Sequence, residues 1–411
     1  MALIKKSRFF RHLVFYGGFV FLNRGLSFLL VPLFTRYLTP EDYGIYALFL
    51  TAVLICEPLL TFCVSDAIGY VYYNPRYNIC EYVSTLMVFY AGTFVLQMAC
   101  LGGGVFFFAL PLWLLCVPVA ALSSIVTGAL NFMWQLKEKP LPYGQFNFCH
   151  LLSQLLLQVG ATVFLRLGWR GVVGAQVLLA LLTIPLALVL LKKNGWLGLG
   201  FHRECLRFGL KFGMGLIPNA FAARFNDSIG KLFISQTFDL TETGIYAAGQ
   251  KLGAIVNVYN FAFGSTYRPW LFKKLTGGGV AREARKIVLS VPLAFTSTLL
   301  FAWGGSLCMY LFSGFVLGRN FSGALIFVFW SASAYALNGM YNVVSHFIYQ
   351  SGKPWILSLL SVSAVGLNAL FTWRFLRTFG MIGAAYAPVL AWGVTLALSI
   401  VAALRLWRGK L

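Results

Sequence analysis

The sequence predicts an all-α polytopic membrane protein with about 12 transmembrane helices, arranged in two six-helix lobes related by a pseudo-two-fold axis along the membrane normal. Three observations carry this prediction: the composition, a series of membrane-length apolar segments and an internal repeat. Hydrophobic residues make up 59% of the 411 residues and charged residues only 10%. A soluble domain has roughly a quarter charged residues, so the composition excludes one.

Apolar segments of the length that a helix needs to cross a bilayer recur along the whole chain. The predicted spans lie near residues 13–37, 43–65, 81–101, 105–130, 146–166, 171–191, 210–236, 244–267, 287–311, 323–348, 355–374 and 381–404. The first segment contains Arg24 and is longer than the core of a signal peptide, so we expect it to remain as a span.

Most of the 32 Lys and Arg residues fall on one side of the predicted spans. By the positive-inside rule, this side is the cytoplasm and both termini lie there. We therefore expect a multi-pass protein of the bacterial cytoplasmic (inner) membrane. The outer loops carry only Arg36, Arg166, Arg170, Arg319, Arg374 and Arg377.

An internal repeat relates the two halves of the chain. The residues Gly-Ile-Tyr-Ala at 44–47 recur at 244–247, and Arg224 stands where Arg24 stood. Six spans return the chain to its starting side, so the repeat is parallel. The predicted lobes are residues 1–200 and 201–411.

Three segments carry a family resemblance: Leu29 to Ala47, Thr243 to Ala248 with Lys251, and Phe379 to Ala387. They resemble the O-antigen-type lipid-linked oligosaccharide flippases, the polysaccharide-export branch of the multidrug/oligosaccharidyl-lipid/polysaccharide exporter superfamily. The resemblance implies two lobes around a central cavity that opens alternately to each side. It also implies a substrate built on polyprenyl diphosphate and a role in surface polysaccharide biosynthesis, such as that of lipopolysaccharide.

Four basic residues fall within predicted spans: Arg24, Arg224, Lys231 and Lys251. A charge at the bilayer centre costs about 2.5 to 3.5 kcal/mol on insertion scales and should face protein or water. A guanidinium binds two phosphate oxygens at once, so the two arginines are predicted to hold a diphosphate. The two lysines, at similar depth in neighbouring antiparallel spans, are predicted to form a basic rung. The alternative to diphosphate binding is that each arginine side chain snorkels to the membrane interface or donates hydrogen bonds to helix carbonyls.

Two carboxylates, Asp227 and Glu57, are candidates for binding a coupling ion, H⁺ or Na⁺. Asp227 shares a helical face with Arg224 and Lys231, so the alternative is a salt-bridge partner. For Glu57 the alternative is a buried neutral group.

Polar residues at helical spacing mark further candidate cavity walls. Asn257, Asn338 and Asn342 are candidate substrate contacts, and hydrogen bonding between helices is the alternative explanation. Two stripes follow this spacing, Tyr335, Asn338, Asn342, Ser345 and Tyr349 in one span and Ser124, Thr127, Asn131 and Trp134 in another; Gln250 and Asn260 lie near Asn257, and the isolated His150 and His346 are expected to pack.

Three function classes are compared: a flippase, an exporter of drugs or cations, and a membrane enzyme. The four cations outnumber the two carboxylates, which favours a flippase for an anionic lipid-linked glycan over a multidrug or cation exporter. A membrane enzyme is disfavoured because the chain has only 11 acidic residues, and no cofactor or metal is expected from the cysteine spacing. The expected partners are a polyprenyl-diphosphate-linked glycan, the lipid bilayer, H⁺ or Na⁺, and a polysaccharide polymerase or glycosyltransferases, with no nucleic acid.

Overall fold

A computed structural model describes residues 30–74, 77–198, 200–276, 280–351 and 355–407. Nearly all of them are helical, which confirms the all-α prediction. Residues 30–37 form helix α1. The rest of the first predicted span, including Arg24, lies outside the described residues.

Fifteen helices follow α1, joined by short turns. In chain order they are α2 Pro40–Thr61, α3 Ile68–Tyr73, α4 Ile79–Phe108, α5 Cys116–Leu136, α6 Pro140–Val159, α7 Gly168–Lys193, α8 Arg203–Met214, α9 Ile217–Thr237, α10 Leu240–Gly253, α11 Val256–Thr276, α12 Val280–Leu311, α13 Ser313–Val316, α14 Leu325–Gln350, α15 Trp355–Phe379 and α16 Gly383–Trp407.

Within the described ranges, eight segments are long and apolar enough to cross a membrane, and the last, Trp355–Trp407, contains both α15 and α16. They correspond to the second to sixth and the ninth to twelfth predicted spans. The helices α9, α10 and α11 do not meet this criterion. Asp227 and Lys231 lower the mean hydropathy of α9, and Lys251 lowers that of α10.

The structure corrects three predicted boundaries. The fourth span was expected from residue 105, but α4 continues to Phe108 and α5 begins at Cys116. The chain turns at Ala109, whose φ is 50°, and Pro111 has no amide hydrogen with which to continue a helix. The seventh and eighth predicted spans are interrupted, between α8 and α9 and between α10 and α11.

The first compact unit contains Leu48–Phe221. Within it α5, α6 and α7 pack against one another, and α8 packs on α4 and on the turn Val64–Ala67. Gly209 of α8 makes this approach possible, because a Cβ there would overlap Val64 and the Tyr82 hydroxyl. That hydroxyl donates a hydrogen bond of 2.8 Å to the Val64 carbonyl.

The second compact unit contains Ala222–Leu411 and Phe28–Ala47, as far as these ranges are described. Helix α14 is its centre and contacts α10, α11, α12, α15 and α16. Small residues let the helices approach: Gly249 lies against Ala324 and Phe327, and Gly253 lies against Ser331. The lobes 1–200 and 201–411 are defined by sequence equivalence rather than packing, and they stay a prediction.

The repeated tetrapeptide forms a contact within this second unit. A Cβ added to Gly44 would overlap the Leu240 carbonyl oxygen, and one added to Gly244 would overlap that of Pro40. The first turns of α2 and α10 therefore cross with their backbones in contact. Side chains cap both helices. Thr39 and Asp42 bond each other's amides at the start of α2, and the Asp239 carboxylate accepts from the Glu242 amide at 2.7 Å at the start of α10.

Candidate substrate and coupling-ion site

The charged residues of α9 lie on one side of the helix. Asp227 follows Arg224 by three residues and precedes Lys231 by four, a spacing that brings side chains together on a helix surface. The Asp227 side chain is exposed, and those of Arg224 and Lys231 are half-buried. The sequence prediction of a shared face agrees with this helix.

Helix α10 adds its own cation to the same place. Lys251 is exposed, and it interacts electrostatically with both Asp227 and Lys231. We call Asp227, Lys231 and Lys251 the lysine–aspartate cluster. The two lysines of the predicted rung thus both interact with the Asp227 carboxylate, and the cluster carries a formal excess of one positive charge when all three groups are ionised.

Tyr335 of α14 interacts with the same carboxylate. Its hydroxyl lies close to the Asp227 side chain and to that of Gln250. The Gln250 amide in turn donates to the backbone carbonyl of Asp227 at 3.1 Å. Residues of three helices, α9, α10 and α14, therefore meet at Asp227. The tyrosine and the glutamine were recognised in the sequence only as polar residues of possible cavity walls.

The interruption between α10 and α11 lies one turn from Lys251. The amide of Ala254 still bonds the Gln250 carbonyl at 3.0 Å, but the next bonds are to residues three positions earlier. Asn257 and Asn260 follow in the first turns of α11. The Asn260 amide donates to the Tyr335 carbonyl at 2.9 Å. This hydrogen bond connects the first turns of α11 to α14 at Tyr335.

A small polar cavity of about 20 Å³ adjoins the cluster, enough for about one water molecule. Asn226 and Asn368 line it together with Asp227, Tyr335 and Gln250. The Asn368 amide donates to the Asn226 side-chain oxygen at 2.6 Å and to its carbonyl at 3.1 Å. Helical spacing in the sequence does not point to these two asparagines. The signal that the sequence offers is a polar residue within each apolar segment.

Other predicted site residues lie apart from the cluster or outside the described residues. Asn338 and Asn342 lie further along α14, where the Asn342 amide donates to the Asn338 oxygen at 3.4 Å. Glu57 belongs to the first unit and accepts a 2.7 Å hydrogen bond from the Ser124 hydroxyl. The pairing of Arg24 with Arg224 is untested because Arg24 is not described.

The chain also resembles known proteins. Residues 11–275 match a family model described as "Polysaccharide biosynthesis protein". A protein of Haemophilus influenzae (strain Rd), described as an uncharacterized membrane protein, is 27% identical over 143 residues, which is 34% of this chain and 34% of that protein. The chain thus spans about a third of the length of this curated relative.

Solved structures share the fold over nearly the whole chain. The lipid II flippase MurJ in an inward closed conformation matches with a TM-score of 0.65 and 12% identity, covering 95% of this chain and 87% of its own. An inward-facing multidrug resistance MATE family transporter of the MOP superfamily matches with a TM-score of 0.64 and 13% identity, covering 94% and 96%. At these identities the likeness establishes the fold alone.

Proposed function

Because the chain belongs to the polysaccharide biosynthesis protein family, we propose that it is a flippase that moves a polyprenyl-diphosphate-linked oligosaccharide across the cytoplasmic membrane. The lysine–aspartate cluster carries this proposal. It places two ammonium groups within electrostatic range of one carboxylate. A diphosphate is an anion that two neighbouring ammonium groups bind well.

The Asp227 carboxylate allows the cluster to release the bound diphosphate. Asp227 competes with the diphosphate for Lys231 and Lys251, because all three groups interact. A proton or Na⁺ at Asp227 cancels its charge and leaves both ammonium groups to the substrate. Loss of that cation returns the lysines to the carboxylate and weakens substrate binding. The small cavity beside Asp227, with its amide and hydroxyl oxygens, is the place we assign to the coupling cation.

The alternative is export of drugs or organic cations. The observation that favours it is the fold shared with a multidrug resistance transporter. In that case Asp227 binds the cationic substrate itself, and the lysines weaken binding by repulsion. The two functions therefore predict opposite effects of removing the lysines.

The test is complementation of surface polysaccharide in a deletion strain with the double variant Lys231→Gln and Lys251→Gln. We expect export to fall at least about tenfold at unchanged membrane abundance, since two charge-assisted contacts are lost, and the lipid-linked intermediate to accumulate. Lys211→Gln, on the exposed side of α8, is the matched control. Normal polysaccharide together with increased drug resistance in the double variant would instead establish the exporter.

A further inference from the structure

The first compact unit contains a polar cavity that is separate from the lysine–aspartate cluster. Its volume is about 250 Å³, slightly below the roughly 300–1,000 Å³ of pockets for drug-sized ligands. It therefore admits a ligand of about one ring. Helices α5, α6 and α7 form its walls, with polar side chains from Ser123, Ser124, Thr127, Asn147, His150, Gln154 and Gln176.

The sequence directs these side chains to one place. On α6, Asn147, His150 and Gln154 recur at intervals of three and four residues, so they share one face. Ser123 and Thr127 have the same spacing on α5. Polar faces of membrane helices turn toward the protein interior, and here two such faces meet Gln176 of α7. Among the described residues, no Lys, Arg, Asp or Glu lines the cavity, and the nearest charged contact of the lining is the hydrogen bond from Ser124 to Glu57.

Hydrogen bonds within the protein account for some of these polar groups. The Ser123 hydroxyl is 2.8 Å from that of Thr183, and the Thr127 hydroxyl donates to the Ser123 carbonyl at 2.7 Å. Asn147 exchanges two hydrogen bonds with Asn131, of 2.9 and 3.1 Å. These groups explain why the helices pack, and they do not require a ligand.

Gln176 differs from its neighbours. Its side-chain oxygen is buried and has no hydrogen-bond partner among the described residues. A buried acceptor without a partner costs about 1–3 kcal/mol, and rotation of the Gln176 amide, whose side chain lines the cavity, would bring this oxygen to a hydroxyl group there. The amide of Gln154, which also lines the cavity, carries both donors and an acceptor.

The apolar part of the lining suits the same kind of ligand. Phe146 lies at the cavity edge, its ring 6.2 Å from that of His150 and 25° from parallel, and Leu179 and Ala180 form the wall of α7. A sugar ring presents hydroxyl groups at its rim and C–H groups on its faces. Neutral amides and hydroxyls beside an aromatic ring match both surfaces.

We propose that this cavity binds one neutral sugar residue of the lipid-linked glycan, a proposal that rests on the proposed function. The sugar residue, which has no charge, is bound by Gln154 and Gln176. The cavity thereby selects among glycans, whereas the cluster recognises the diphosphate that they share.

The probe is the free oligosaccharide released by mild acid from the lipid-linked intermediate that accumulates in the deletion strain. This probe has no phosphate, so the lysine–aspartate cluster does not contribute to its binding. Saturation-transfer NMR on the purified protein in detergent is expected to show binding to the wild type. We expect binding about tenfold weaker for Gln176→Leu and for Gln154→Leu, because each loses hydrogen bonds to the sugar.

Gln158→Leu is the matched control. Gln158 lies one turn beyond Gln154 on α6, is fully buried, and has an amide without partners, but it does not line the cavity. We expect it to bind the probe as the wild type does. Export is measured in parallel, and Gln176→Leu should lose export at normal abundance while still binding inorganic pyrophosphate.

Several results would overturn the proposal. One is a wild-type protein that gives no saturation transfer to the probe. Another is unchanged binding and export in both cavity variants, which would make this a water-filled cavity only. Equal losses in Gln158→Leu would point to a general packing effect. If no lipid-linked intermediate accumulates in the deletion strain, the proposed function itself fails, and the sugar site fails with it.

Discussion

Asp227 is the residue on which the cluster depends, because Tyr335, Lys231 and Lys251 all interact with it. Replacing Asp227 by Asn keeps the shape of the side chain and removes its negative charge. We expect Asp227→Asn to bind inorganic pyrophosphate about tenfold more tightly, equivalent to about 1.4 kcal/mol, since the lysines lose their competing partner. Export should nevertheless fall, because release is impaired. Calorimetry with pyrophosphate and complementation measure the two quantities.

The control for this variant is Glu204→Gln, an exposed acidic residue of α8. It should change neither binding nor export. Weaker pyrophosphate binding in Asp227→Asn would mean that the carboxylate supports the lysines rather than competing with the substrate.

Arg24 and Arg224 are predicted to bind the diphosphate from equivalent positions of the repeat. Arg24→Ala and Arg224→Ala should each reduce export at least about tenfold at normal membrane abundance. Arg→Lys should restore it only in part, because an ammonium lacks the bidentate geometry of a guanidinium. Surface polysaccharide and protein levels are measured together in the deletion strain. Normal export by the double alanine variant would remove both arginines from the mechanism.

At the scale of elements, the crossing of α2 and α10 depends on two glycines. A Cβ at Gly44 or Gly244 would overlap a backbone carbonyl of the other helix. A backbone atom cannot relieve the overlap by changing rotamer, as a flexible side chain can. We expect Gly44→Ala and Gly244→Ala each to destabilise the protein by about 1–3 kcal/mol, the usual cost of overpacking. Thermal unfolding in detergent and membrane abundance report the loss.

Gly92→Ala is the control, because nothing lies within 4 Å of a Cβ at that position of α4. It should leave the unfolding temperature unchanged or raise it slightly, since alanine favours helix more than glycine. Equal stability of all three variants would mean that the crossing is looser than the structure indicates.

The interruption of the eighth predicted span also belongs to this scale. Hydropathy suggested one continuous helix, but α10 ends at Gly253 and α11 begins at Val256. Broken helices within membranes occur where the backbone lines a cavity or is buried in protein. Here Gly253 lies against Ser331 of α14, so protein covers the break. The interruption places Lys251 at the end of one helix and Asn257 at the start of the next.

The positive-inside rule predicts a membrane topology for the whole molecule, which reporter fusions can test. Reporter fusions after Lys137, Arg203, Lys273 and Lys410 should report the cytoplasm. Fusions near Thr39, Gly102, Glu242 and Arg377 should report the outer side. Alkaline phosphatase and a fluorescent protein, active on opposite sides, provide the readout. An outward C-terminus would be incompatible with twelve spans and a cytoplasmic N-terminus.

The sequence by itself determined the fold class, most helix positions and the charged residues of α9 and α10. Apolar length and charge distribution are local properties that a bilayer imposes on every span. The tertiary structure decided which polar residues meet. Asn226 and Asn368 are 142 positions apart, and no periodicity relates them. Gln176 is a single polar residue in an apolar helix, and only the packing of α5 and α6 against α7 shows that its oxygen has no partner among the described residues. Such pairings depend on how helices pack, and packing depends on the shape of many side chains at once.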